Sequence, residues 1–327
     1  MTDTLPPSTS GDFGDDEFDW ARDPFVLPPA DPVRHEPFQE ALEWRHPAPA
    51  RRRGWRRRWI AWPLYAFALF EVLIVSLNVV TPPRTMFMLG DPHRDDVPFV
   101  NEYVDLDHIS RWLLAAVVLH EDAEFGTRIL PFDIDHFIDR IQDHLDGKED
   151  TSGSTIPQQL AKNLFLNRGP HAWRKVVEVP IAYSVNFLLS DQRIFELYMN
   201  EAQFAPNLYG ACAASWYFLR SAPWDLTREQ AIELAGLLPS GDYVRRAPGG
   251  GIDVSNPENS ATRTVWHATE VLPLRFAEQG GSWEPVLAPL GIDDTAADHA
   301  ADRDHEDSCS QMPRSVADRI EWEDARR

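Results

Sequence analysis

Apolar residues repeat at helical spacing through the middle of this 327-residue chain. In the clearest case Trp112, Leu113 and Ala116 fall on one side of a helix, and Asp107 or Ser110 is placed to cap its start. The same period returns at 153–166, 171–189, 191–210 and 224–241, and no segment alternates convincingly as a strand. The pattern therefore predicts an all-α fold.

A different pattern, a continuous apolar run, covers residues 59–80. It has about the length that a helix needs to cross a bilayer. Six arginines between residues 51 and 58 precede it, and by the positive-inside rule they stay in the cytoplasm. Glu71 near the middle of the run is costly at bilayer depth, so we expect it to be protonated or paired. We interpret the run as a single transmembrane helix in the cytoplasmic membrane, with the N-terminus inside and the long C-terminal part on the extracytoplasmic side.

Differences in composition divide the rest of the chain into four predicted regions. We expect a disordered cytoplasmic tail at 1–58, a linker at 81–103, one folded domain at 104–248 and an acidic, partly disordered extension at 249–327. The net charge of -21 argues against a nucleic-acid partner. Cations nevertheless slightly outnumber anions between residues 153 and 246. A cationic cleft for an anionic substrate is therefore compatible with an acidic protein.

Cys212 and Cys309 are the only cysteines, which excludes a disulfide framework and a cysteine-built zinc site. A single bridge is compatible with an extracytoplasmic location, but we expect Cys212 to be a buried free thiol. A weak metal site in the acidic tail is an alternative to simple solvation there, and its ligands would be His299, Asp302, His305 and Glu306.

The segment GSTIPQQLAKNLFL at 153–166 carries the most specific chemistry. If Ser154 is the N-cap, then Thr155, Gln159 and Lys162 share one helix face. Ile156, Leu160 and Leu164 form the buried stripe beside that face. A hydroxyl, an amide and an ammonium group in this arrangement suit a phosphate, although an ordinary amphipathic surface helix has the same spacing.

Acidic residues stand out in two other predicted helices. Glu121 and Asp122 end the helix that contains Trp112, where the helix dipole disfavours carboxylates. Arg174 and Glu178 lie four residues apart and so share a face, which by spacing alone indicates a surface ion pair. Neither feature identifies a function by itself.

These segments resemble the family 51 peptidoglycan glycosyltransferases, and the monofunctional, membrane-anchored type in particular. The same family includes the transglycosylase domain of class A penicillin-binding proteins. The matching segments are EDAEF at 121–125, STIPQQLAKNLFL at 154–166, RKVVE at 174–178, RIFELYMN at 193–200 and GACAASWYFLR at 210–220. No transpeptidase signature follows them.

The resemblance implies a lysozyme-like helical glycosyltransferase domain at 104–248 that polymerises glycan from lipid II. The transfer would invert the anomeric centre, form β-1,4 links and release undecaprenyl diphosphate. The resemblance makes Glu121 the catalytic base and Glu178 the second essential glutamate. The implied substrate-binding residues are Asp122, Phe125, Thr155, Gln159, Lys162, Arg174, Arg193 and Asn200.

The same resemblance implies cofactors and partners. Glu178 is the expected ligand of a divalent cation, Mg or Mn, and no organic cofactor is expected. The expected partners are lipid II, lipid-linked glycan, the membrane and other proteins of cell-wall synthesis or division.

Three departures from the family pattern keep alternatives open. Pro157 replaces a small hydroxylated residue, Arg128 replaces a histidine, and Asp133 arrives one residue late. The loop at 126–132 shapes the donor pocket in the family, so a catalytically impaired, membrane-anchored scaffold of wall synthesis is one alternative. A lytic transglycosylase, which cleaves glycan, is another, although it would have no use for a cationic diphosphate site.

Overall fold

The computed structural model describes residues 53–131, 154–169 and 172–327. The chain divides into two units, Met1–Arg57 and Arg58–Arg327, and the fold described below belongs to the second. The predicted tail up to residue 52 and the predicted insertion before Asp133 lie outside the described residues.

Helices dominate the part of the chain that the structure describes. The α-helices are α1 (Arg53–Ser76), α2 (Met86–Leu89), α3 (Arg111–Glu121), α4 (Ile156–Phe165), α5 (Ala172–Leu188), α6 (Asp191–Glu201), α7 (Ala211–Ala214), α8 (Arg228–Ala235), α9 (Ser260–Glu278), α10 (Glu284–Leu287) and α11 (Arg314–Asp324). The strands are β1 (Val100–Asn101), β2 (Gln203–Ala205) and β3 (Leu208–Tyr209). The predicted helical character is confirmed.

Helix α3 lies at the centre of the core. Its residues from Leu113 to Val118 are buried on every side, as expected of a helix that is apolar all round. Helices α8, α9 and α10 pack against it, while α4 packs against α5 and α6. Ser110 precedes α3 as predicted, but its hydroxyl donates to the Leu226 carbonyl at 3.0 Å instead of capping the helix.

A small three-stranded sheet was not predicted. Its order is β1-β3-β2, with β1 parallel to β3 and β2 antiparallel to β3. Asn207 turns the β2–β3 hairpin with a left-handed φ of 55° and donates its backbone N–H to Asp91. The strands have only two or three residues each, which is too short for a period of two to be recognised.

Helix α1 occupies the region of the predicted membrane span and ends at Ser76. Its C-terminal half packs on the domain, where Ile74 is fully buried and Phe70 meets Phe165 with ring centroids 5.2 Å apart. The Ser184 hydroxyl donates to Glu71 at 2.8 Å, so Glu71 is paired. Across the described ranges, no helix combines the length and the apolar character needed to cross a membrane. The structure therefore does not confirm the predicted span at 59–80.

Residues 81–103 are more ordered than a linker. They contain α2 and β1, and the Thr85 side chain caps α2 by accepting from the Met88 N–H at 3.2 Å. Asp91 is fully buried and accepts hydrogen bonds from Tyr209 and from Gln203. This segment is therefore part of the domain.

The prediction of a partly disordered extension at 249–327 is wrong. Helices α9 and α11 pack into the same core as α3. The buried residues Val265, Ala268, Leu272 and Phe276 form an apolar stripe along α9. This stripe has helical spacing. The surrounding segment is rich in Gly, Asp, Pro and His, so its composition alone predicted disorder instead of a helix.

The expectation of a free thiol at Cys212 is also wrong. Cys212 in α7 and Cys309 just before α11 form a disulfide, with Cα atoms 5.9 Å apart. The bridge joins positions separated by 97 residues and so ties the C-terminal segment to the domain. Such a cross-link stabilises a fold mainly by restricting the unfolded chain.

Replacing both Cys212 and Cys309 with serine should lower the free energy of unfolding by about 2–5 kcal/mol, because the long loop is no longer closed. Denaturant unfolding of the oxidised protein and of the double variant measures this difference. Reduced wild type is the control and should behave like the variant. Two titratable thiols in the oxidised, denatured wild type would contradict the bridge.

Glu201, in the last turn of α6, is a buried acid that the sequence did not single out. Glu201 is 1% exposed, and neither of its carboxylate oxygens has a hydrogen-bond partner among the described residues. Burial raises the pKa of Glu201 to about 8. The side chain is therefore mostly neutral at pH 7, since an unpaired carboxylate would be costly there.

Glu201→Gln should stabilise the protein more at pH 8 than at pH 5. The unfolded chain releases this proton near pH 4.5, whereas the folded protein keeps it until about pH 8. The contribution of Glu201 to stability is thus greatest below pH 4.5 and falls as the pH rises, by on the order of 3 kcal/mol between pH 5 and pH 8. Denaturant unfolding of both proteins across this range tests the linkage, and a difference that does not change with pH would contradict it.

Candidate active site

Glu121 is the last residue of α3, and both of its carboxylate oxygens are held. The Nδ1 atom of His120 lies 2.8 Å from Oε1, and Gln159 Nε2 donates to Oε2 at 2.8 Å. The Glu121 side chain is 9% exposed, so it is mostly shielded yet open to a ligand. A fixed and accessible carboxylate of this kind is suited to accept a proton.

The N-terminus of α4 differs from the prediction by one residue. Thr155, not Ser154, is the N-cap: its hydroxyl accepts from the Gln158 N–H, and the Gln158 side chain accepts from the Thr155 N–H. Such a reciprocal box needs Gln or Glu three residues after the cap, and Pro157 occupies that position relative to Ser154. Thr155 also donates to the Pro131 carbonyl. Its hydroxyl therefore stabilises the start of the helix.

Pro157 leaves α4 intact, as predicted. It stands at the second position of the helix, where a backbone N–H has no intrahelical acceptor. The departure from the family pattern therefore does not disturb the helix that presents Gln159 and Lys162.

Gln159 and Lys162 lie on the predicted polar face. The Gln159 amide also receives the Tyr198 hydroxyl at 3.1 Å and donates to the Ser154 carbonyl at 2.8 Å, so its orientation is fixed. Lys162 lines a cavity of about 170 Å³ together with Gln159, Tyr198 and Asp242. Burial lowers the pKa of Lys162, and Glu178 opposes this effect by stabilising the ammonium form.

Glu178 faces this lysine from α5 and is a buried acid with a 5% exposed side chain. Among the described residues it pairs with Lys175, whose Nζ lies 3.1 Å from Oε1 and also donates to the Ser154 hydroxyl at 3.3 Å. The Arg174 guanidinium donates to the Gly169 carbonyl, while its buried Nε has no hydrogen-bond partner among the described residues. Glu178 therefore pairs with Lys175, whereas the spacing in the sequence predicted an ion pair with Arg174.

Asp122 follows Glu121, but both of its carboxylate oxygens accept hydrogen bonds from the protein. Arg128 Nη2 donates to both of its oxygens, at 2.9 and 2.7 Å, and the Ile156 N–H donates to Oδ2 at 3.1 Å. Burial raises the pKa of Asp122, and the Arg128 charge opposes this effect. Arg128, the departure from the family histidine, thus compensates a buried carboxylate that holds the start of α4.

Three further predicted substrate-binding residues lie in the framework. Phe125 is buried against Phe195, with ring centroids 5.7 Å apart. Arg193 donates to the Leu77 carbonyl at 2.6 Å, to Thr81 and to Glu196, and Asn200 exchanges hydrogen bonds with the Val104 backbone. The structure thus brings Glu121, Gln159, Lys162, Arg174 and Glu178 together, and it gives Phe125, Arg193 and Asn200 structural contacts.

Arg168 holds two residues of the Lys162 cavity in place, a role that the sequence did not reveal. It pairs with Asp242 at 2.7 Å and donates to Gln203 Oε1 at 2.7 Å, and both partners line the Lys162 cavity. Its guanidinium also lies over the Phe87 ring, 3.8 Å from the centroid. Asp242 and Gln203 are 74 and 35 residues away in sequence, so no local spacing signals this network.

Comparison with known proteins gives the same family as the motifs. The model of the family described as Transglycosylase matches residues 96–270. A biosynthetic peptidoglycan transglycosylase of Rhodopseudomonas palustris is 39% identical over 195 residues, which cover 55% of this chain and 82% of the relative. The corresponding protein of Pasteurella multocida is 37% identical over 184 residues, covering 53% and 74%. That of Paraburkholderia xenovorans is 35% identical over 190 residues, covering 56% and 78%.

The matched region contains all five motifs and the residues gathered around Glu121 and Lys162. It also includes the first half of α9, which the predicted domain at 104–248 left out. The predicted enzyme class is confirmed, and the chain belongs to the transglycosylase family.

Proposed function

We propose that this protein polymerises peptidoglycan glycan from lipid II by an inverting transfer that forms β-1,4 links. The arrangement of Glu121 carries the proposal, because its oriented carboxylate lies beside a cluster of cations. Transfer from a diphosphate-activated sugar needs a base for the acceptor hydroxyl and positive charge for the departing diphosphate. A glycan-cleaving enzyme would need the first but not the second.

Glu121 acts as the base in this proposal. One carboxylate oxygen takes the proton of the acceptor hydroxyl as the hydroxyl oxygen forms a bond to the anomeric carbon of the other sugar. The bond between that carbon and the diphosphate breaks, its electron pair stays on the diphosphate oxygen, and undecaprenyl diphosphate leaves. The hydrogen bond from Gln159 to Oε2 keeps the carboxylate oriented during this exchange.

The leaving diphosphate would bind the cations around Glu178. Lys162, Lys175 and Arg174 are close enough to one another that each of the latter two lowers the pKa of the Lys162 ammonium. The buried, unpaired Nε of Arg174 supports an anion there, because an unsatisfied guanidinium nitrogen is costly. A bound diphosphate would relieve the repulsion within this cluster.

Glu178 is also the residue that would hold a divalent cation. Mg²⁺ commonly takes one or two carboxylates together with substrate phosphates, so a single buried glutamate fits when the diphosphate is present. The ion would supply further positive charge to the leaving group. Without it, Glu178 organises the cations through its contact with Lys175.

A membrane location accompanies this function. Large apolar side chains are exposed along α1 and α5, including Trp62, Phe67, Leu69, Val176 and Phe187. Such an apolar surface supports attachment of the domain to the bilayer that holds its lipid-linked substrate. The disulfide supports an extracytoplasmic location, because such bonds persist in oxidising compartments. Association with other proteins of wall synthesis or division stays a prediction.

Glu121→Gln should reduce glycan polymerisation by at least about 100-fold, because the amide cannot accept the proton. The assay uses purified protein in liposomes with lipid II and a divalent ion, and glycan chains are resolved by gel electrophoresis. Glu321→Gln, at an exposed position of α11, is the matched control and should keep wild-type activity. Polymerisation by Glu121→Gln at the wild-type rate would exclude Glu121 as the base.

Arg128→His, which restores the family residue, should destabilise the protein by about 1–3 kcal/mol at pH 8. The neutral imidazole leaves the buried Asp122 carboxylate without its charged partner. Below pH 6 the protonated histidine should recover part of the loss, since pairing with Asp122 raises the histidine pKa in the folded state.

Unfolding measurements at pH 8 and pH 5.5 follow this change, and Arg128→Lys is the control that keeps the charge. A histidine variant as stable as wild type at pH 8, with higher polymerase activity, would show that Arg128 is a defect of the donor loop.

A further inference from the structure

The two oxygens of Glu121 connect to two different cavities. Gln159, which donates to Oε2, lines the cavity that contains Lys162. His120, which lies against Oε1, lines a separate cavity of about 390 Å³ between α3 and α9. The second cavity is therefore next to the reacting carboxylate but apart from the cations that would bind the diphosphate. We call it the α3–α9 cavity.

We propose that the α3–α9 cavity binds the acidic peptide substituent of the acceptor glycan, with its carboxylates against the basic side chains. This inference rests on the proposed function. It assigns a role to the outer face of α9, which the reaction described above does not use.

The charge of the α3–α9 cavity favours an anion. Arg263, His267 and Arg275 of α9 and His120 of α3 line it, and its lining within the described residues includes no carboxylate. The Arg275 guanidinium donates to the Leu119 carbonyl at the end of α3, which fixes its position beside His120. In a chain with a net charge of -21, the guanidinium groups of Arg263 and Arg275 will concentrate an anionic ligand locally, and the two imidazoles offer further polar contacts.

The remaining lining favours a peptide over a small inorganic anion. Val271 and Leu272 supply an apolar wall, and Ser260 and Thr264 supply hydroxyl groups. A cavity of this volume with apolar, hydroxyl and cationic walls suits a chain that carries both methyl groups and carboxylates. A bare phosphate would leave the apolar wall unused.

The position of the α3–α9 cavity favours the acceptor. The diphosphate of the donor would bind near Lys162, on the Gln159 side of Glu121. The Ser260 hydroxyl lies 3.3 Å from that of Ser240, which lines the Lys162 cavity, so the two cavities are neighbours. A glycan whose hydroxyl reaches Glu121 from the His120 side can therefore place its peptide against α9.

The test combines Arg263→Gln with His267→Gln, because both side chains are exposed and their loss leaves the core intact. Polymerisation is measured with lipid II whose stem peptide has free carboxylates and with lipid II whose carboxylates are amidated. For the double variant, the apparent KM should rise about tenfold with the free acid, the typical effect of losing a charge-assisted contact. The apparent KM for the amidated substrate and kcat for both should stay unchanged.

Arg314→Gln removes an exposed arginine of α11 outside the cavity and is the matched control. It should leave both KM values at the wild-type level. Equal KM changes with the two substrates, or no change with either, would overturn the assignment.

Direct binding separates this inference from the proposed function. Calorimetric titration of Glu121→Gln, which needs no turnover, uses the isolated stem peptide of lipid II, its amidated form and inorganic phosphate. Binding of the acidic peptide that the double substitution abolishes would support the cavity even if wild type made no glycan. Equal binding of the amidated peptide, or phosphate binding as tight as that of the acid peptide, would refute it.

Discussion

The buried carboxylate of Asp122 joins the end of α3 to the start of α4, and the active-site arrangement depends on this connection. It accepts the Ile156 N–H at the first residue of α4, while Arg128 compensates its charge from the following loop. Glu121 and Gln159 are thereby held within hydrogen-bond distance although they are 38 residues apart. Because a buried carboxylate without a partner is costly, Asp122 is a strong constraint on how these two helices meet.

The cations of the site result from this packing and not from an overall basic character. Lys162 comes from α4, whereas Lys175 and Arg174 come from α5, and the two helices pack directly on each other. In the sequence each cation alone resembles an ordinary charged residue of an amphipathic helix. Together they form a positive cluster around Glu178 in an acidic protein, and a diphosphate leaving group needs such a cluster.

The C-terminal part of the chain completes the domain. The disulfide to Cys212 holds the segment before α11, and α9 covers one side of α3. Arg111, buried at the start of α3, pairs with Asp294 at 2.6 Å. This ion pair attaches the C-terminal part of the chain to α3 at a second place. The polar face of α9 thereby comes to lie beside His120, which gives the base a second, basic neighbouring cavity.

The sequence by itself determined the helical class, the family and the motif residues Glu121, Gln159, Lys162 and Glu178, because helical periodicity and motif spacing are local properties. It did not determine the partners of those residues. Thr155 took the cap because Gln158 can reciprocate, Glu178 paired with Lys175, and Arg193 and Asn200 joined the framework. Composition did not reveal the stripe along α9, because it averages over the positions that face the core. The sequence left the Cys212–Cys309 bridge as an alternative to a free thiol, because it does not show that these two distant residues meet. Only the tertiary structure decided these contacts. Arg193 and Asn200 bind backbone groups 116 and 96 residues away, and the packing of the helices selects the Thr155–Gln158 and Glu178–Lys175 pairs from several local alternatives.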